Sequence, residues 1–153
     1  MKLIVAAFGK LRSRELAAVA DDYAKRLKRY CPAEVLELRD ERGEGEGPRR
    51  KEAERLDAAL RDGDYLVLLD ERGRQLSSPE LAGLIDGRSR SAAGRLVFLV
   101  GGPYGVHESV RSRAQLVLSL SRMTLPHELA RAVLLEQLYR AWTILRGEKY
   151  HHG

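Results

Sequence analysis

The stretch RLVFLVGGPYG, Arg95 to Gly105, decides how the rest of this chain is read. Leu96 to Val100 is an unbroken apolar run. It is too short for a buried helix and shows no polar alternation, so it is expected to be a strand covered on both faces. Two glycines and a proline break it at once. Working outward, KLIVAAF (Lys2 to Phe8) and YLVLLD (Tyr65 to Asp70) have the same character, EVLELR (Glu34 to Arg39) alternates as an edge strand would, and LVLSL (Leu116 to Leu120) closes the set. Between them lie helical periodicities. Leu16, Val19, Ala20, Tyr23, Leu27 and Tyr30 share one face, with Ser13 as cap and Pro32 beyond the end. Ala53, Leu56 and Leu60 mark a short helix. Ser78-Pro79-Glu80 starts another, carrying Leu81, Leu84 and Ile85, and Glu108 to Gln115 fits one more. DERGEGEGPRR, Asp40 to Arg50, has no apolar residue and reads as a loop. Strand and helix alternate throughout. The expected fold is α/β, a mostly parallel sheet with helices on both faces, in a single domain spanning 1–153.

The last helix is the most legible. From Pro126 to Arg146 apolar residues return at Leu129, Val133, Leu135, Leu138, Trp142 and Leu145, while Ala132, Leu134, Ala141 and Ile144 widen the face. Glu128 suits the positive end of the helix and Gly147 its termination. A helix this broadly apolar is either deeply buried or shared with a second subunit, and a small domain has little interior for it; a homodimer through this helix is expected.

Composition narrows the function. The 153 residues carry a net charge of +5, which suits a polyanionic partner such as RNA. A single cysteine, Cys31, excludes an internal disulfide and a thiolate metal cluster. No segment approaches a membrane span and the N-terminus lacks a signal-peptide core, so a soluble cytoplasmic protein is expected, without membrane contact. The four histidines have no helical zinc spacing and no metal is expected. P-loop, dinucleotide and hydrolase-elbow motifs are all missing. Ligands of open α/β sheets bind at strand carboxyl ends. Three such ends stand out: Leu69-Asp70 with ERG, the GGPYG turn, and LSRMTLPHE, Leu120 to Glu128. His127 reads as a capping or packing residue in the first turn of the last helix. The end of the chain, YHHG, reads either as a frayed tail or as part of a site.

FLVGGPYGV followed by LSLSRMTLPHELARAVLLEQLYRAWTILRGEKYHH, with MKLIVAAFGKL, KEAERL and LDERGRQLSS before them, resembles the SPOUT-class ribosomal large subunit methyltransferase H family over essentially the whole chain. The resemblance implies a C-terminal trefoil knot and S-adenosylmethionine as cofactor. The cofactor-binding positions it implies are Leu69, Gly101 and the run Leu120, Ser121, Arg122, Met123, Thr124 and Leu125. It further implies methylation of N3 of a pseudouridine in 23S ribosomal RNA, on the ribosome, by a homodimer in which the tail of one subunit completes the site of the other. Tyr150, His151 and His152 are then the expected catalytic residues. Lys10, Arg12, Arg14 and Lys149 are candidates for RNA contact. The chain departs from the family pattern at Tyr104, where a Glu or Asn is usual, and at His152, where a fixed cation is usual; an unperturbed imidazole titrates near pH ~6.5. The rival reading is a small basic α/β protein that binds RNA or a ribosomal particle without catalysis, and cofactor binding separates the two.

Overall fold

The computed structural model describes residues 1–91 and 94–153. Its elements are β1 (Leu3–Phe8), α1 (Arg14–Leu27), β2 (Ala33–Leu38), α2 (Glu46–Ala59), β3 (Tyr65–Gln75), α3 (Ser78–Ser91), β4 (Leu96–Val100), α4 (Glu108–Arg113), β5 (Leu116–Ser119) and α5 (His127–Leu145). The five strands form one sheet in the order β2-β1-β4-β3-β5, every neighbouring pair parallel. The order explains the sequence patterns. β1 and β4 are central and buried at every residue, hence their unbroken apolar runs; β2 is an edge and alternates.

Alternate strand residues feed two cores. Leu3, Val5, Ala7, Val67, Leu96, Phe98, Val100 and Leu118 face α1, α3 and α5. Ile4, Ala6, Phe8, Leu66, Leu68, Val97 and Leu99 face α2 and α4 through Ala53, Leu56 and Val110. The long helix α5 is covered by its own chain more fully than its width suggests. It packs on both α1 and α3, and its buried residues run from Arg131 to Thr143.

Four elements depart from expectation. The segment from Asp40 to Arg50 is a loop only at its start, because α2 begins at Glu46. Its buried face includes Arg49 and Glu52 beside Ala53 and Leu56, so polar residues occupy positions where apolar periodicity would have shown a helix. α4 ends at Arg113 and α3 is capped by Ser77, whose hydroxyl accepts from the Glu80 N–H at 3.1 Å. β3 does not stop at Asp70. It pairs with β5 at Leu69↔Leu118, bulges over residues 70–73, and pairs again at Arg74↔Leu118 and Gln75↔Ser119. Gly73 allows this return: a Cβ there would lie 2.5 Å from the Val117 carbonyl oxygen and 2.9 Å from the Leu118 nitrogen. The two backbones touch where no side chain fits.

Gly73→Ala is therefore expected to destabilise the fold by about 1–3 kcal/mol through backbone displacement. Equilibrium urea unfolding checks this, and an unchanged midpoint would show that the bulge yields freely.

Candidate functional site

The carboxyl ends of β3, β4 and β5 open into a cavity of about 800 Å³. Leu69 to Arg72 form one wall. Val100, Gly101, Gly102 and Pro103 form the second, with Gly105 and Val106. The third runs from Leu120 through Pro126 to His127 and Ala130 at the start of α5. This volume is in the range of sites for cofactor-sized ligands. Of the positions that the resemblance names, Leu69, Gly101, Leu120, Ser121, Met123, Thr124 and Leu125 line it; Arg122 does not, and its side chain is exposed.

Each wall is set by local chemistry. At Gly101 an added Cβ would meet Val106 Cγ1 at 3.0 Å, whereas Gly102 has open space, so backbone itself forms the surface of this loop. The turn is closed by the Gly105 N–H donating to the Gly102 carbonyl at 3.1 Å, with Gly105 at φ +77°. In the third wall, Ser121 Oγ accepts from the Met123 N–H at 3.0 Å, and Ser119 Oγ donates to the Ser121 carbonyl at 2.9 Å. Thr124 donates to Glu71, tying the third wall to the first.

The first wall is ordered by charge. The Asp70 carboxylate accepts from the Arg72 N–H at 2.8 Å and pairs with the guanidinium groups of Arg72 and Arg111. Burial alone would raise its proton affinity, but these partners outweigh burial and hold the carboxyl below its usual range. Arg111, on α4, is a residue that sequence reading missed, since nothing in ESVRSR distinguishes it from an ordinary surface cation.

His127 opens α5 at the rim, and Glu128 beside it reaches across to α1. Glu128 Oε1 accepts from the backbone N–H groups of Arg12 and Ser13, each at 3.0 Å, which holds its carboxyl below the ordinary value, the Ser13 bond contributing most. Ser13 in turn caps α1 by accepting from the Leu16 N–H at 3.2 Å. His107 is a helix cap, its Nδ1 accepting from the Ser109 N–H at 3.1 Å. Among the described residues no cluster of His, Cys, Asp or Glu is placed to hold a metal ion.

The tail lies elsewhere. Gly147 adopts φ +67°, its N–H reaching the Ile144 carbonyl and the Glu148 N–H the Thr143 carbonyl, which reverses the chain. Residues 148–151 then run back along α5. The Tyr150 hydroxyl donates to Glu136 Oε2 at 2.7 Å and lies 3.3 Å from the Tyr23 hydroxyl, while its ring packs edge-on to Tyr139. Burial first, then Tyr23 and Glu136, raise the Tyr150 proton affinity, so the phenol stays protonated. Arg140, paired with Glu136 at 2.8 Å, faces His151 Nδ1 at 3.1 Å. A guanidinium only donates, so Nδ1 accepts and the ring proton sits on Nε2. His152 is exposed. Tyr150 and His151 are thus held by Glu136 and Arg140, His152 is not, and none of the three lines the cavity of its own chain. The Glu136/Arg140 pair was a missed element, although its i, i+4 spacing was visible.

A family model described as "Predicted SPOUT methyltransferase" matches residues 1–151. Ribosomal RNA large subunit methyltransferase H of Geobacter metallireducens is 48% identical over 154 residues, covering 100% of both chains. The protein of the same name from Syntrophotalea carbinolica is 41% identical over 155 residues, covering 99% of each. The solved structure of a probable methylase family protein from Haemophilus influenzae Rd KW20 superposes with a TM-score of 0.56 at 11% identity, covering 99% of this chain and 70% of that one, which is a likeness of fold.

Glu128→Gln is expected to lower stability at about pH 7 by about 1 kcal/mol, because a neutral amide oxygen accepts more weakly than a carboxylate. Since the Glu128 carboxyl titrates below its unfolded value, its contribution is present above that ordinary value and is lost as pH falls through the lower folded one. The gap between variant and wild type should therefore close in urea titrations run at about pH 3. A gap that persists in acid would mean the contact is not electrostatic.

Proposed function

The chain belongs to the SPOUT methyltransferase family, and on that premise we propose that it transfers a methyl group from S-adenosylmethionine to N3 of a pseudouridine in 23S ribosomal RNA, on the assembled ribosome. The observation that carries the proposal is the cavity at the ends of β3, β4 and β5, whose walls are the loops that the family resemblance singles out. The residues fit the cofactor. Leu69, Leu120 and Leu125 offer apolar surface to an adenine ring, Gly101 and Gly102 offer bare backbone to its edge and to the ribose, and Ser121 and Thr124 offer hydroxyls. When bound, the cofactor supplies an electrophilic methyl carbon. The C-terminal trefoil knot is part of the same reading, as is activity in the cytoplasm.

Chemistry then depends on what the chain does to the acceptor. In-line transfer asks for the nucleophile within about 3–3.5 Å of the methyl carbon, so orientation is the main contribution. The uracil N3–H is a weak acid, and donors aimed at the flanking carbonyls favour its ionised form. His151 presents Nε2–H as a donor for a ring carbonyl, while the Tyr150 proton is already given to Glu136 and its docked ring positions the tail. Because the tail does not enter its own cavity, we assign it to the cavity of a second subunit in a homodimer built on α5. The half-buried aromatic surface of Tyr23, Tyr30, Tyr139 and Trp142 beside the tail supports that face as the dimer contact.

Two variants test both parts together. Gly101→Val places a side chain against Val106 and should abolish S-adenosylmethionine binding in calorimetry. The double variant His151→Ala/His152→Ala keeps Tyr150 docked and should bind the cofactor normally, yet transfer labelled methyl to unmodified ribosomes about 10²–10⁴-fold more slowly. Co-expressed in one cell, the two should regain activity through mixed dimers that hold one intact cavity and one intact tail. Unchanged binding by Gly101→Val refutes the cavity assignment, and failure of the mixture to recover refutes the shared site.

A further inference from the structure

Of the large hydrophobic side chains among the described residues, Val19, Val35, Tyr104 and Met123 are exposed. The first two lie on α1 and β2. The other two flank the cavity: Met123 lines it, and Tyr104 stands between Pro103 and Gly105, which also line it. Tyr104 is 53% exposed at the tip of the tight turn closed by the Gly105 N–H and Gly102 carbonyl, so the backbone beneath the ring is set before any ligand arrives. One face of the ring is covered. The Arg49 guanidinium sits over it, 5.5 Å from the centroid, and Arg49 is buried. It is anchored by a 3.1 Å bond to the Glu41 carbonyl and a 2.9 Å ion pair with Glu52. This is a rigidly backed aromatic plane whose remaining surface meets water.

We propose that the open face of Tyr104 is a stacking platform for a nucleobase of the RNA substrate, the one adjoining the nucleotide presented to the cavity. The proposal rests on the RNA-methylating reading above. Modifying N3 requires the target base to leave its stack, which strips its neighbour of one stacking partner. An aromatic ring fixed at the rim replaces that partner without reading sequence, because every base has a π-face. Exposed Arg72 and Arg122 on the same rim carry charge suited to the flanking phosphates. A platform already ordered by its turn and by Arg49 loses little freedom when a base settles on it.

Steady-state methylation of unmodified ribosomes tests this with Tyr104→Leu and Tyr104→Phe, alongside calorimetry with S-adenosylmethionine. Tyr104→Leu should raise KM for the ribosome roughly 5- to 100-fold, the cost of one lost base–aromatic stack, with cofactor affinity unchanged. Tyr104→Phe should restore the wild-type KM. Independently of turnover, Tyr104→Trp titrated with an oligouridylate should show fluorescence quenching that native Trp142 in the wild type does not. A wild-type KM for Tyr104→Leu, a Tyr104→Phe as impaired as Tyr104→Leu, or a Tyr104→Trp that is not quenched overturns the platform while leaving the methylation reading intact. A wild type that binds S-adenosylmethionine but transfers nothing to RNA overturns that reading and the platform with it.

Discussion

The site depends on a contact between two backbones. β3 pairs with β5, leaves it for four residues, and returns to the same partner residue, Leu118. That geometry requires the returning strand to lie directly against Val117, and only a residue without a side chain can do so. The consequence is functional as much as structural. The four residues set free are Asp70 to Gly73, and three of them form a cavity wall. A regular strand would have hidden half of these side chains in the sheet. The bulge instead delivers two carboxylates and a guanidinium to the mouth of the cavity, where Arg111 of α4 pairs with Asp70 and Thr124 of the third wall donates to Glu71.

The cavity is lined mostly by backbone and apolar groups, while the ionised groups are paired at its edges. Asp70 is matched by two arginines and Glu128 by two backbone N–H groups at the start of α1. The Asp70–Arg111 and Glu128 pairings join elements distant in sequence, while Arg72 holds Asp70 from within the bulge itself. Net charge is left for the exposed rim, where a polyanion can use it at little desolvation cost.

The sheet and its order of elements were legible because burial imposes itself on composition: β1 and β4 had to be apolar throughout, and β2 could alternate. The start of α2 was hidden for the converse reason. Arg49 and Glu52 satisfy one another in a buried position, and a periodicity built on apolar residues is blind to a face closed by an ion pair. The β3 extension was equally hidden, since ERGRQ has no strand signature and is held by Gly73 rather than by propensity. Of the positions that the family resemblance names, all but Arg122 line the cavity; Arg122 belongs to the same run, but its side chain is exposed and does not line it. Side-chain partnerships such as Asp70 with Arg111 are matters of tertiary placement and left no mark on the local sequence.

The tail shows most clearly how local rules and function meet. Gly147 ends α5 and, by its positive φ, sends the chain back along the helix instead of away from it. Glu136 and Arg140 then find Tyr150 and His151 beside them, and the two ionised partners settle which protons those side chains keep. The Tyr150 proton is given to a carboxylate and the His151 Nδ1 lone pair is taken by a guanidinium, so neither of these atoms is free toward a substrate. These bonds are made by α5, with Tyr23 of α1 beside the phenol, before any substrate is considered. If this tail serves methyl transfer, its contribution is to polarise the acceptor ring and hold it in line, and the proton must leave by way of a group that Glu136 and Arg140 do not govern. His152, exposed and outside that network, is the tail residue that meets this condition.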